Sequence, residues 1–372
     1  MSFEQFAAGF VEEPGYLDHA RLSPIGEHAF AEERAMSEVL SHARFGALGA
    51  FDDLDERVRQ SVAQLVRMRP DQVVFQPSAS QALMHVMFGL TGGVAVSSGE
   101  SAPLRYAIGR AVESLGVLVP HAITPELERV TPGVVRDQLA STVVAVVVSL
   151  VDERTGHLVD LEGIRQVIGD RLLIVDATQG AGIVDAPWEV ADVIASSGQS
   201  WLRAGQGTGF LAVTDRAREQ LTPVWSGWLA RGADDIEREV VAPSSGAGAF
   251  RVGEADGFAQ ARLCGAVDAV LAVGVGAIRS VIEQRTTRLI EIADEAGVEV
   301  VSARDDAERA GIVVLEPHPE FVSALAAALH NHGVSSTVQF GRVRLSAHVS
   351  TGDDTLDMLR ASLTEFMTFS RV

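Results

Sequence analysis

Residues 143–150 read VVAVVVSL and residues 172–179 read LLIVDATQ. Each is a strand-length run of β-branched and aliphatic residues with no polar alternation, which suits a strand covered on both faces. The twenty or so residues between them leave room for a crossover helix, so the pair predicts a β-α-β unit with parallel strands. Outward from this unit the same texture repeats. Strands are expected at 73–76, 94–97, 193–195 and 209–213, with helical patterns between several of them. No period of 20–50 residues recurs, so a solenoid or propeller is excluded and the class is α/β with a mostly parallel sheet.

A loop rich in Gly, Ser, Pro and Ala at 242–248 changes the texture and predicts a second unit. That unit opens with a long helical pattern over 256–296. A strand at 312–315, a helix at 321–330, a strand at 343–346 and a final helix at 354–369 follow. The expected organisation is an N-terminal arm (1–15), a large domain (16–245) and a small C-terminal domain (246–372).

Composition narrows the function. With 372 residues, 47% hydrophobic and 22% charged, the chain is of ordinary globular make-up and large enough for a substantial core. All 30 basic side chains are arginine, against 50 acidic ones, for a formal charge of −20. Any mechanism that needs a lysine is excluded. The acidic balance argues against nucleic acid and acidic membranes, because neither finds a basic face. No apolar run approaches the length of a membrane-spanning helix. One cysteine, Cys264, and a start without a basic or apolar leader point to the cytoplasm. The ten histidines show no metal-ligand spacing apart from His330-x-His332, read as a helix-end feature, and no metal is expected.

In open α/β sheets ligands bind beyond the carboxyl ends of the strands. Two such loops stand out. Gln76-Pro77-Ser78-Ala79-Ser80 leaves a strand and opens a helix, where hydroxyls and backbone N–H groups either cap the helix or hold a phosphate. Asp176-Ala177-Thr178-Gln179 puts a carboxylate at the tip of a buried strand, as a cap, a turn or a ligand.

In order along the chain, Tyr16-Leu17-Asp18-His19-Ala20, the Ser78 loop, Thr155-Gly156, Asp176-Ala177-Thr178-Gln179, residues 196–210 and Arg344-Leu345-Ser346-Ala347-His348 resemble the class V aminotransferase group of fold-type I pyridoxal phosphate enzymes. That group includes cysteine desulfurases, kynureninase and isopenicillin-N-epimerase-like proteins. The resemblance implies a homodimer that takes pyridoxal phosphate and a small amino acid, for amino transfer or for C–S or C–C lyase chemistry. It implies that Asp176 pairs with the pyridine nitrogen so that the ring acts as an electron sink. Gln179 is then near the ring hydroxyl, while Ser78, Ala79, Ser80, Ser197 and Gln199 hold the cofactor. Arg344 clamps the substrate carboxylate, and His348 beside it is the best candidate for a base in the cleft.

The departures are as informative. The family pattern S-G-x-K-W-L-x-A-G-x-G-T-G reads here from Ser197 to Gly209 with Ser200 where the Schiff-base lysine stands. A serine hydroxyl forms no imine and is a poor base. Ser101 follows Glu100 where an aromatic or His usually stacks on the ring. Glu254 stands in a Gly253-Glu254-Ala255 run where the family often has a phosphate-binding threonine. Asp152 or Glu153 stands where Asn is common. The loop Trp225-Ser226-Gly227-Trp228 resembles the kynureninase and epimerase branches, and Cys264, in a helix, lacks the placement of a persulfide-forming residue. Three readings follow. The chain is a lysine-to-serine form of an otherwise intact catalyst, or a degenerate member that serves a homologue as a structural or regulatory partner. Otherwise it is an enzyme working on another ligand in the same cleft.

Overall fold

The computed structural model describes residues 1–125, 128–231 and 240–370. Seven strands form the large sheet: β1 (Val73–Phe75), β2 (Gly92–Ser97), β3 (Leu118–Ile123), β4 (Val143–Ser149), β5 (Leu172–Asp176), β6 (Val193–Ser197) and β7 (Gly209–Val213). Their order is β1-β7-β6-β5-β4-β2-β3. The pairs from β3 through β6 are parallel, whereas β7 is antiparallel to both β6 and β1.

The unbroken apolar runs have the expected cause. Along β4 and β5, Val146, Val148, Leu173 and Val175 enter one apolar core. Ala145, Val147, Leu172 and Ile174 enter another on the opposite face. Both faces are therefore covered, and polar residues are confined to strand ends. The crossover helix Leu161–Ile168 starts where the Asp160 side chain accepts the Gly163 N–H at 2.8 Å. β3 escaped the sequence reading because it is an edge strand: Pro120 and His121 interrupt its apolar run, which only an edge tolerates.

The pattern expected as one helix over 256–296 is two helices, Gly257–Val273 and Val275–Glu295, bent by 86°. Gly274 adopts φ +90° at the break, a conformation that any side chain would strain. The first of these helices is mostly buried, with Leu263, Cys264 and Val267 in the core of the large unit. The composition changes at 242–248, but the apolar core changes later, inside the second helix. Ile278 and Ile282 belong to the large core, while Leu289 and Ile292 belong to the core of the small unit. That small unit packs helices on an antiparallel sheet of β8 (Ile312–Leu315), β9 (Thr337–Gln339) and β10 (Arg342–Ser346), in the order β8-β10-β9. Leu17 joins its core, so the N-terminal segment bridges the two units. Among the described residues no single helix is long and apolar enough to cross a membrane.

Candidate active site

A cavity of about 420 Å³ opens beyond the carboxyl ends of β4, β5 and β6. Register brings their ends together: Ser149 pairs with Asp176, Asp176 pairs with Ala195, and β6 ends two residues further at Ser197. The helix Ala79–Gly89 points its N-terminus at the same space. β10 brings Arg344 from the small unit. Of the residues singled out in the sequence, Ser78, Ala79, Ser80, Asp176, Gln179, Ser197, Gln199, Ser200 and Arg344 all line this one cavity.

The Asp176 carboxyl is 5% exposed and accepts the Thr178 N–H at 3.0 Å and the Ser101 hydroxyl at 3.5 Å. Burial nonetheless lifts its pKa above the usual carboxylate range, and the negative charge of Glu153 adds to the rise. A cationic partner at this oxygen is therefore what the site lacks on its own. Ser101 offers that hydroxyl in place of an aromatic face. Ser78 is the N-cap of its helix, accepting the Gln81 N–H at 3.2 Å, and Ser197 Oγ accepts the Ala79 N–H at 2.8 Å. Ser78 thus caps the helix, as one of the two sequence readings of this loop has it, and the capped terminus lines the cavity. Gln179 is committed within the protein, donating to the Ala20 carbonyl at 2.9 Å and accepting from Trp201 Nε1 at 2.8 Å. Ser200 is 1% exposed and donates to the same carbonyl at 3.3 Å. The Gln199 backbone carbonyl accepts the Ser23 N–H at 2.9 Å, tying the loop that carries Ser200 to the N-terminal segment.

Arg344 is 4% exposed. Its Nη1 donates to Glu153 Oε2 at 3.3 Å and its Nη2 to Thr337 Oγ1 at 3.5 Å, while Nε is buried without a partner. Of the two acidic residues noted at 152–153, Glu153 is the one on the cavity wall. Asp152 is used locally, accepting the Arg154 and Thr155 N–H groups at 2.7 and 2.9 Å.

His348 is a correction. It does not line the cavity, and it lies buried with its Nδ1 3.5 Å from Arg203 Nη1 and the Phe10 ring edge-on at 4.9 Å. Burial, then the neighbouring Arg203 charge, pushes its pKa well below the ordinary histidine value, so it is neutral and out of reach of a ligand. Glu254 lines a separate cleft beside Gln76, Pro77 and Arg251. In the Trp225 loop, Trp225 packs on Phe88 at 4.7 Å, whereas Trp228 is 57% exposed. Cys264 is buried, and its thiol is pushed up to about 12 by that burial.

The sequence reading passed over one group. Glu100 was weighed only for its neighbour, yet its carboxyl is fully enclosed. It accepts the Ser149 hydroxyl at 2.5 Å and the Ser149 N–H at 3.3 Å. Burial raises its pKa to about 7, and Asp152 and Asp176 add to the rise. A glutamate directly after the Ser98-Gly99 turn carries no periodicity signal, so only the fold could place it against β4.

A mostly parallel seven-stranded sheet with a small α+β unit closing over its strand ends is the fold-type I architecture of pyridoxal phosphate enzymes. The chain belongs to the class-V aminotransferase family, whose sequence profile matches residues 35–372. An uncharacterized aminotransferase of Bacillus subtilis (strain 168), YcbU, is 23% identical over 350 residues, covering 90% of this chain and 91% of that protein. Among solved structures, a lysine-to-alanine mutant of C-DES with glycine covalently linked to its pyridoxal phosphate superposes with a TM-score of 0.87. It is 18% identical and covers 98% of this chain and 99% of that one. The apo cysteine desulfurase of Thermococcus onnurineus NA1 gives a TM-score of 0.86 at 18% identity, covering 99% of each chain.

Proposed function

We propose that the cavity binds pyridoxal phosphate together with a small amino-acid-like amine, without a covalent link to the protein, and that lysine-dependent turnover is absent. The observation that carries this reading is the buried Asp176 carboxyl, short of a cation, facing Arg344 across a cavity in a chain with no lysine. The residues present suit the cofactor except at its point of attachment. When bound, the cofactor supplies an electron sink for breaking bonds at the amine-bearing carbon.

The protein's own part can be assigned residue by residue. Asp176 holds the proton on the ring nitrogen, which restores the carboxylate to its charged form. Ser78, Ser80 and Ser197, with the N-terminus of the helix Ala79–Gly89, receive the phosphate. Gln179 fixes the Ala20 and Trp201 walls. Ser200 occupies the lysine position, and its hydroxyl neither attaches a carbonyl carbon nor takes up a proton near neutral pH. That a lysine-to-alanine mutant of C-DES holds glycine linked to the cofactor supports the idea that such a pocket keeps its ligands without the lysine. Association as a homodimer belongs to the same reading. It is supported by Trp228 and Val252, 57% and 50% exposed, on segments joined by the Gly227 N–H to the Arg251 carbonyl at 2.9 Å. A cytoplasmic setting is proposed with it.

The test is an absorbance titration of the purified protein with pyridoxal phosphate, with and without a panel of amino acids. Saturable binding is expected, weakened about tenfold or more in Asp176→Asn, where a charged hydrogen bond becomes a neutral one. Absence of saturable binding would overturn the reading and leave a scaffold that serves a partner.

A further inference from the structure

We propose that Glu153 is an internal carboxylate seated on Arg344, and that the cavity for this reason favours amines lacking an α-carboxylate over α-amino acids. The inference rests on the amine-binding reading above and names the substrate class of that site. Arg344 is the one buried cation on the cavity wall, and Glu153 Oε2 takes its Nη1 at 3.3 Å from a position that also lines the cavity. Glu153 and Asp176 line the same cavity, and the negative charge of Glu153 adds to the rise in the Asp176 pKa. The guanidinium keeps Thr337 at 3.5 Å and a buried, unpartnered Nε, and its charge is also felt by Asp18, to which the Thr337 hydroxyl donates at 2.7 Å.

A substrate carboxylate approaching Arg344 meets a like charge already in place and must displace it or share the guanidinium with it. The other cation on the wall is Arg21, which is 74% exposed and 4.0 Å from Asp18 Oδ2. Solvent screening makes it a weak substitute. An ammonium group without a carboxylate has the opposite experience, since Glu153 attracts it and nothing needs to move. In a chain without lysine no lysine ammonium competes for that carboxylate.

The probes are alanine and ethylamine, which differ by the carboxylate and are titrated by calorimetry into the full chain, both saturated with pyridoxal phosphate and free of it. In the unaltered protein ethylamine binds at least as tightly as alanine. In Glu153→Gln the preference inverts, with alanine gaining about tenfold or more relative to ethylamine, the scale of one charge-assisted hydrogen bond. Glu153→Asn serves as a second variant and gives the same inversion. An alanine-to-ethylamine ratio unchanged in both variants would overturn the proposal, as would a strong preference of the unaltered protein for alanine or failure to bind either amine in either form. Failure of the cofactor reading is separately visible as loss of pyridoxal phosphate binding, and the ratio in the cofactor-free protein then still decides whether Glu153 blocks Arg344.

Discussion

Replacing Glu12 by glutamine removes the countercharge of the most enclosed arginine among the described residues. Arg203 has a side chain only 1% exposed. Its Nη1 and Nη2 donate to Glu12 Oε1 and Oε2 at 2.8 and 2.5 Å, Nε donates to the Pro24 carbonyl at 2.8 Å, and Nη1 reaches Ser350 Oγ at 3.0 Å. The Phe10 ring lies 4.1 Å from the guanidinium carbon. His19 and His348 flank it but bring no charge. Burial and then Arg203 itself push the His19 pKa down to about 3 and hold His348 neutral. Losing one partner of a buried pair costs roughly 3–5 kcal/mol, because the remaining charge is left without its countercharge. With an unfolding entropy of about 2.1 cal/mol/K per residue over 372 residues, Glu12→Gln should lower the melting temperature by about 4–6 °C. Calorimetric melts at neutral pH measure this, and the drop should persist at high salt because the pair is shielded from solvent ions. The double variant Glu12→Gln with Arg203→Met should lose less than the sum of the two single variants, since it removes the orphaned cation as well. A Glu12→Gln melting point within about 1 °C of the unaltered protein, or strict additivity, would refute the reasoning. The pair matters for the site because it clamps the N-terminal arm to the loop that carries Ser200.

Ser200→Lys places an amine on the cavity wall at a position that is 1% exposed, where burial depresses a lysine's pKa and makes it nucleophilic. Condensation of pyridoxal phosphate with the new amine, with loss of water, and borohydride reduction of the imine should then leave a phosphopyridoxyl group on residue 200 of the variant, located by peptide mapping, whereas the unaltered protein carries none there and reacts at most at its N-terminal amine. A folded variant that takes up no adduct would remove Ser200 from the lysine position. Glu100 predicts a pH effect of defined sign. Its folded pKa, about 7, lies above the ordinary 4.5, so between those values the folded state binds the extra proton and stability falls as pH rises. Melting temperatures across that window should decline more steeply for the unaltered protein than for Glu100→Gln, with the variant gaining relative stability as pH passes 7. Equal slopes would mean that the carboxyl is ionised throughout.

The α/β class and the residues that meet at the cavity were legible in the sequence because they are local signals. The unbroken β-branched runs of β4 and β5 announce a sheet covered on both faces, and the polar residues that end each run mark the side where ligands bind. The Asp176 and Ser78 loops needed no more than that to be singled out, Ser197 needed the family resemblance as well, and the absence of lysine is a matter of counting. The helix break at Gly274 was hidden because the apolar pattern continues across it, and only the backbone angle there separates one helix from two. β3 was hidden because an edge strand need not be apolar. His348 was misjudged because adjacency to Arg344 in the chain does not survive the end of β10. Arg344 faces the cavity from the strand, while His348, beyond its end, is packed beneath Phe10 and Arg203. Composition and motif order by themselves determined the fold family and the missing amine. Which carboxylate sits on Arg344, which one has its pKa raised against Ser149 and where the arm is clamped depend on charges brought together across hundreds of residues. Burial and distance set those energies, and neither is written in the order of residues along the chain.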